Sequence, residues 1–499
     1  MKYLHHLILF SCVLSFCTCN DFLDVTSSEK ILQKDLFKES QGIRMAVNGV
    51  YKEMSSTSLY GQNLSWGFIS AVGHNYEVTT SVLTTNLYYA ANFAWDNSYV
   101  ESITDNIWSK AYNIIANCNN IIQMVEEQDT MFFKEKALEK TLILGEMYGV
   151  RAMLHFDLFR LFAPAPITNA SGLTIPYVTT YPDKRPINLS SDEVLKNIVD
   201  DMEMAKTMLA PIDTIKFRSV ISSPAGRYRQ SNTWRNLPEG DFFNYRGQRM
   251  NFFAATALLA RIYLYMGDYD KAFENADLVY RFHKRNWFRW TSSSYQGNIS
   301  NVDYIYTKRP DELLLVLSNH KNYENYDKFM LESYYGTSRF RMKKMELLFA
   351  GDLDDFRFSG WYNRYGLKRY LTWQRPAGTS YTAQNVAQNQ GPLIPIIRFS
   401  EMYHILIECY IRKGNLEEAV TMLNALRLSR GAKTKITNDI EAVELMDRLV
   451  NDIIRETLTE GQTFFMYKRL NRNIFNGETD IEMKPEDWIV PIPYSETNF

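Results

Sequence analysis

The chain has 499 residues with 55 Lys and Arg against 57 Asp and Glu, which argues against a broad nucleic-acid-binding face because phosphate binding needs an excess of cations. A hydrophobic share of 45% is ordinary for a globular protein and excludes bulk disorder. The aromatic share of 14%, with 32 Tyr, is high, so we expect some rings at the surface, where they often contact flat and polar ligands.

The N-terminus has the pattern of a targeting signal. Lys2 precedes an apolar run over residues 7–16, and no acidic residue appears before Asp21. The run is too short to span a bilayer, which needs about 20 apolar residues. Residues 1–18 are therefore predicted to be a secretory signal peptide.

Cys19 directly follows the apolar segment, as the acylated cysteine of a bacterial lipoprotein does. We predict lipidation at Cys19, which would anchor the mature chain by lipid alone. Thr18 stands where a smaller residue is usual, and Cys12 and Cys17 are alternative positions. Cleavage by an ordinary signal peptidase, giving a soluble secreted protein, is the other interpretation.

Two cysteines, Cys118 and Cys409, lie inside helical patterns further along the chain. Buried free thiols are the preferred interpretation, and one disulfide is the alternative. Neither the cysteines nor the seven histidines have the spacing of metal ligands, so we expect no metal and no cofactor.

Helical periodicity dominates the chain, because apolar residues recur every three or four positions over long segments. Ser190 and Ser191 followed by Glu193 form an N-cap signature, and Pro211 ends the same segment. The predicted helices cover residues 42–54, 108–127, 136–162, 191–209, 251–266, 269–282, 399–412, 416–428 and 442–458.

Two helix pairs repeat one pattern. LYMGDYDKAFENA at 264–276 aligns with IRKGNLEEAVTML at 411–423, and both place Gly at the turn and Ala five residues later. Gly can adopt the positive φ that ends a helix, and Ala allows two helices to approach closely. This is the turn of a tetratricopeptide-like hairpin. Residues 42–55 with 107–126 and 141–162 with 191–209 are predicted further split pairs.

The predicted fold is therefore mainly α, a tetratricopeptide-like scaffold of about four split helical-hairpin pairs with long loop-rich inserts and minor β structure. The inserts cover residues 56–106, 211–249 and 283–398. Within the last insert, only residues 311–320 look strand-like. None has the low complexity of a linker, so we expect ordered loops packed on the helices.

Seven blocks in this order resemble the SusD/RagB family of Bacteroidetes outer-membrane lipoproteins. Thr463 stands where that family usually has Arg, and Ile407 where it often has Ala. The blocks are CNDFLDV at 19–25, GEMYGVRAMLHFDLFRLFAPAP at 145–166, RPINLSSDEVLKNIVDDMEMAKTML at 185–209, the helix pair at 251–280, the helix pair at 398–431, IIRETLTEGQTFFMYKRLNR at 453–472 and WIVPIPYSETN at 488–498.

The resemblance implies a single SusD-like domain over 19–499, with a helical part over about 19–282 and a loop-rich part over about 283–499 packed on it. Members of the family sit as lids on a SusC-like TonB-dependent transporter and bind oligosaccharides, or in some branches peptides. The chain is accordingly expected to be a non-enzymatic outer-membrane lipoprotein that faces the cell exterior.

Candidate ligand-binding rings lie beside polar residues in the inserts. Aromatic faces cover the C–H faces of sugar rings, while amides, carboxylates and guanidinium groups bond the hydroxyls. Any single ring could instead be a packing residue, so the prediction concerns the rings as a group. They are Trp95, Tyr99, Trp287, Trp290, Tyr323 and Tyr326.

Two other classes of function are weighed against ligand capture. A glycoside hydrolase would need two carboxylates across a cleft, which Asp352, Asp354 and Asp355, or Glu239 and Asp241, could supply. We interpret these acidic residues as solvated loops, and no hydrolase, metalloprotease or phosphate-loop motif is present. A pure assembly module, binding proteins on its helical repeats, is the third reading.

Overall fold

The computed structural model describes residues 36–183, 185–228, 238, 241–291, 308–322, 324–326, 342–363, 366–367 and 391–497. Most of these residues are helical. The longer helices are α1 (Ser40–Met54), α2 (Ser98–Glu127), α3 (Lys136–Phe162), α4 (Ser191–Pro211), α5 (Phe252–Met266), α6 (Tyr269–Lys284), α7 (Phe399–Arg412), α8 (Leu416–Ser429), α9 (Ala442–Thr457) and α10 (Thr463–Leu470). Shorter helices cover Phe68–Val72, Thr85–Ala91, Arg218–Ile221, Pro224–Tyr228, Met345–Leu348, Phe356–Trp361 and Tyr494–Thr497.

The nine predicted helices are all present, with most ends within two residues of the prediction. Helix α4 has the predicted capping box, in which Glu193 accepts a 2.9 Å bond from the Ser190 backbone N–H. Helix α2 is the exception, because it begins at Ser98 rather than at residue 108. Its extra turns carry buried Val100 and Ile103, which continue the apolar stripe. Helix α10 was not predicted.

Each helix from α1 to α8 packs against the next one along the chain, and α9 packs on α7. The four predicted pairs, α1 with α2, α3 with α4, α5 with α6 and α7 with α8, are thereby confirmed as packed pairs. Gly267 and Gly414 have φ of 83° and 78°, the left-handed conformation expected of the glycine that ends a helix. Ala272 and Ala419 are buried at the two close approaches.

Short antiparallel strands supply the minor β structure. The predicted strand is confirmed as β3 (Leu313–Ser318), and its partner β6 (Leu393–Arg398) was not predicted. Every residue of β6 is buried, so it lacks the alternation that signals a strand. The remaining pairs are β1 (Leu173–Pro176) with β2 (Asn188–Ser190), β4 (Tyr362–Asn363) with β5 (Gly366–Leu367), and β7 (Ile474–Phe475) with β8 (Asp480–Ile481).

Cys118 and Cys409 are both buried and free, which confirms the preferred reading of the two thiols. Burial raises the pKa of each thiol to about 12, so both stay protonated at neutral pH. None of the helices that the structure describes combines the length and the apolar character needed to cross a lipid bilayer.

Candidate functional site

A group of aromatic and polar side chains lies where the chain enters helix α2. We call it the 88–99 surface, and it consists of Tyr88, Tyr89, Asn92, Trp95, Asp96 and Tyr99. The short helix Thr85–Ala91 buries Leu87, Ala90 and Ala91, which leaves Tyr88 and Tyr89 partly buried on its outer side. Tyr99 lies in the first turn of α2 and is 57% exposed.

The rings of Tyr89 and Tyr99 are nearly parallel. Their centroids are 6.3 Å apart and their planes differ by 5°. Tyr88 meets Tyr89 edge-on, with centroids 5.8 Å apart. Asn97 holds Tyr99 in place, because its side chain accepts a 3.0 Å bond from the Tyr99 backbone N–H and so caps α2. The surface therefore presents ordered ring faces rather than a single mobile side chain.

Trp95 connects this surface to the C-terminal segment. Its indole Nε1 donates a 3.2 Å hydrogen bond to the backbone carbonyl of Glu486, in the short helix Pro485–Trp488. The ring is partly buried and packs against Phe93 and Phe68, at 5.8 and 6.4 Å between centroids. Trp95 therefore contacts both neighbouring residues of its own insert and the C-terminal segment, and its ring remains partly exposed.

Two polar side chains of the 88–99 surface are suited to hydrogen-bonding the hydroxyl groups of a ligand. Asn92 and Asp96 are both exposed. The Asn92 Nδ2 donates a 2.8 Å hydrogen bond to the Tyr88 carbonyl. This bond fixes the orientation of the amide and directs the amide oxygen away from that carbonyl. Asp96 forms no ion pair with any other residue in the described ranges, so its carboxylate is available to accept hydrogen bonds.

A buried histidine, His74, contacts the segment that carries the 88–99 surface. Burial lowers the pKa of His74 to about 4, so the ring is neutral at physiological pH. Its Nε2 donates a 2.9 Å bond to the Ala91 carbonyl, at the end of the helix that carries Tyr88 and Tyr89. The same ring contacts Phe93 at 5.8 Å, which in turn contacts Trp95.

The other predicted rings lie elsewhere, and two of them are in the core. Trp287 is 8% exposed and packs against Phe253 and Phe282. Tyr326 is fully buried and meets Trp66 edge-on at 5.2 Å. Neither presents a ring face to solvent in this structure, so their expected contact with a ligand has no structural support.

Trp290 is partly buried. It packs against Phe399 and Tyr403, and the guanidinium of Arg430 lies 4.7 Å from its ring centre. Tyr323 lies outside the described residues. The structure therefore brings together Trp95 and Tyr99 from the predicted group, and adds Tyr88 and Tyr89. Their position in an Asn-rich insert was visible in the sequence, but nothing there distinguished them from buried Tyr60 and Tyr76.

The expectation that the acidic residues at 352–355 form a solvated loop is wrong for two of the three. Asp352 is 5% exposed and pairs with Arg427 and Arg455, and Asp355 is fully buried against Arg357. A carboxylate at these depths must be paired, and arginines on α8, α9 and the helix Phe356–Trp361 supply the charges. Asp354 is exposed as expected.

These ion pairs make Asp352 a poor candidate for a general acid. Burial acts to raise its pKa, but hydrogen bonds from Arg427 and Arg455 outweigh burial, so the pKa lies below its ordinary value. A glycosidase acid needs a raised pKa instead. Across the described residues, no group of three His, Cys, Asp or Glu side chains is placed to hold a metal ion.

A family of starch-binding proteins that associate with the outer membrane matches residues 21–223, and the SusD family matches residues 261–498. The two matches together cover most of the chain in the expected order. The chain belongs to the SusD family.

Individual relatives agree with this assignment. SusD-like protein P38 of Formosa agariphila is 20% identical over 92% of this chain and 89% of its own length. SusD-like protein P25 of the same organism is 24% identical, but the match covers 41% of this chain and 37% of P25, less than half of that relative.

The fold itself recurs in crystal structures. A SusD superfamily protein from Bacteroides thetaiotaomicron has a TM-score of 0.64 at 20% identity, covering 92% of this chain and 98% of that protein. A SusD-like carbohydrate-binding protein from Bacteroides vulgatus has a TM-score of 0.61 at 15% identity, covering 87% and 84%. At this level of identity, the likeness confirms the mainly α fold.

Proposed function

We propose that this chain is a glycan-binding lipoprotein that captures oligosaccharides at the 88–99 surface. The observation that carries the proposal is the pair of parallel rings, partly buried Tyr89 and exposed Tyr99, beside the exposed carboxylate of Asp96. Pyranose rings have apolar C–H faces that pack on aromatic rings, and hydroxyls that donate to carboxylate and amide oxygens. The surface offers both kinds of contact within one short segment.

The cellular setting of the proposal rests on the family and on the N-terminus. The family matching residues 21–223 is described as associating with the outer membrane, and Cys19 follows a signal-like segment. We therefore propose that lipid on Cys19 anchors the protein to the outer membrane, facing the exterior. There it would deliver its ligand to a SusC-like TonB-dependent transporter.

The anchor and the transporter can be tested in one purification. The wild-type protein, solubilised from membranes, is expected to carry acyl chains on Cys19 by mass spectrometry and to co-purify with a SusC-like transporter. A Cys19→Ala variant should leave the membrane fraction. An unmodified Cys19 on the wild-type protein would contradict lipidation, and repeated purification without a transporter would contradict the partnership.

Binding is tested by titrating a set of oligosaccharides into the purified protein. Tyr99→Ala should weaken binding about 5- to 150-fold, since losing one aromatic stacking contact costs about 1–3 kcal/mol in the analogous nucleobase case. Tyr494→Ala is the matched control, because Tyr494 is 82% exposed and lies on a different helix. Equal losses in both variants would contradict a site at the 88–99 surface.

The alternatives have their own outcomes in the same experiment. Binding of peptides but no glycan would assign the chain to a RagB-type peptide-binding role. Binding of neither would favour an assembly module built on the helix pairs. We further propose that the protein is not an enzyme, so a bound oligosaccharide should be recovered intact after prolonged incubation, and the appearance of shorter products would overturn this.

A further inference from the structure

We infer that the ligand of the 88–99 surface is an uncharged glycan, and that glycans rich in uronate or sulfate groups are disfavoured there. The inference rests on the proposed glycan-binding function and adds the charge class of the ligand. It begins with the sequence, which contains no Lys or Arg between Lys52 and Lys110. Five acidic residues fall in the same stretch: Glu53, Glu77, Asp96, Glu101 and Asp105.

The structure places three of these acids along the start of α2. Asp96 lies just before the helix, Glu101 lies in its first turn and Asp105 is about one turn further on, and all three are exposed. Lys110 is eleven residues beyond Tyr99, or about 16 Å along the helix axis. It is also already paired with Glu53, at 2.7 Å. No cation on α2 therefore lies near Asp96, the acid that belongs to the 88–99 surface.

Within the described parts of the chain, the other segments that contact the site do not supply cations beside the rings either. The C-terminal segment that bonds Trp95 contains Lys484, together with Glu482, Glu486 and Asp487, so its balance is acidic. His74 is neutral because burial lowers its pKa to about 4. Lys343 and Lys344, of which Lys343 interacts electrostatically with Glu77, both bond Glu478.

This distribution of charge distinguishes among sugars that would stack equally well. An exposed carboxylate accepts hydrogen bonds from the hydroxyls of a neutral sugar, which are donors around the edge of the ring. A uronate or a sulfate ester presents acceptors and a negative charge instead, so it meets repulsion where a hydroxyl meets a bond. Because these acids are exposed, the effect is screened by salt over about 10 Å at 0.1 M ionic strength.

The test uses pairs of glycans that share a backbone and differ in charge. Suitable pairs are methyl-esterified and de-esterified homogalacturonan, hydroxyethyl and carboxymethyl cellulose, and laminarin with its sulfated derivative. We expect the neutral member of at least one pair to bind at low salt. Its charged partner should bind about fivefold more weakly for each charge held close to one carboxylate. The gap should narrow in 0.5 M NaCl.

Two substitutions separate this effect from general electrostatics. Asp96→Asn should narrow the gap at low salt, because the substitution removes a charge at the rings. Asp192→Asn is the matched control, since Asp192 is also exposed but lies on α4. It should leave the gap unchanged.

The possible failures are distinguishable. Tyr99-dependent binding in which the charged member equals or exceeds the neutral one would overturn the inference and leave glycan binding in place. Absence of binding by both members of every pair would overturn the proposed function and the inference with it.

Discussion

Two aromatic regions of this molecule both have polar neighbours in sequence but opposite surroundings in space. Trp95 and Tyr99 lie among Asn and Asp residues and remain at the surface. Trp287 and Trp290 also have polar neighbours, yet arginines from distant segments cover them: Arg218 lies 5.7 Å from the Trp287 ring and Arg430 lies 4.7 Å from the Trp290 ring. Polar neighbours in sequence therefore do not mark an exposed ring. What decides is whether another segment brings a cation or an apolar face over it.

The largest expected effect is a loss of stability when Trp287, in the buried aromatic region, is replaced. Trp287→Ala should lower the free energy of unfolding by about 3–5 kcal/mol, because it removes a large side chain from between Phe253 and Phe282. Tyr99→Ala, at the exposed member, should change it by no more than about 0.5 kcal/mol. Urea denaturation of the two variants beside the wild type measures both. A stable Trp287→Ala protein that no longer binds glycan would reverse the assignment of the two regions.

The next effect is on pH dependence, and it concerns the support beneath the exposed rings. The pKa of His74 is about 4 in the folded protein and about 6.5 in the unfolded chain. Above pH 6.5 the ring is neutral in both states and stability is complete. Between pH 6.5 and 4 the unfolded chain gains a proton that the folded protein does not, so stability falls by about 3 kcal/mol in all. Below pH 4 this group causes no further loss.

The structure explains why the folded protein disfavours protonation of His74. Denaturation at several pH values tests the predicted dependence of stability on pH. His74 Nδ1 is buried and has no hydrogen-bond partner among the residues that the structure describes, so protonation would leave a charged donor unpaired. His74→Gln should reduce the slope between pH 6.5 and 4, while His320→Gln, at an exposed position, should not. Part of the slope should remain, because burial lowers the pKa of His155 to about 3. An unchanged slope in His74→Gln would show that His74 is not the group responsible.

Much of the scaffold could be predicted because its signals are local. Apolar spacing defines a helix within a few turns, and one glycine determines the turn at Gly267 or Gly414. The pairing of α5 with α6 and of α7 with α8 followed from the repeated pattern, since short turns join helices that must pack together. The start of α2 was predicted too late although Val100 and Ile103 continue its apolar stripe at helical spacing, so the same local signal extends to its first turn.

The site could be predicted only in part, because burial depends on residues far apart in sequence. Trp287 is covered by Phe253, and Asp352 is paired with Arg455, about a hundred residues away. No window along the chain contains both partners of such a contact. Tyr89 gains its role by lying parallel to Tyr99 across a turn, which composition cannot reveal. The sequence was sufficient to predict the insert that carries the 88–99 surface. The tertiary contacts determine which residues of that insert belong to the surface.

The smallest effect tests whether the exposed rings are held in place by their own segment. Asn97 caps α2 through the Tyr99 backbone N–H, so Asn97→Ala should cost about 1 kcal/mol of stability. Because Tyr99 lies in the first turn, fraying there should also weaken glycan binding several-fold. Asn97→Asp retains a capping oxygen and favours the positive end of the helix dipole, so both stability and binding should stay near the wild-type values. Hydrogen exchange of the Tyr99 and Val100 amides, measured beside binding, would show the fraying directly. If Asn97→Ala left that exchange unchanged and still weakened binding, Asn97 would act on the ligand itself rather than on the ring beside it.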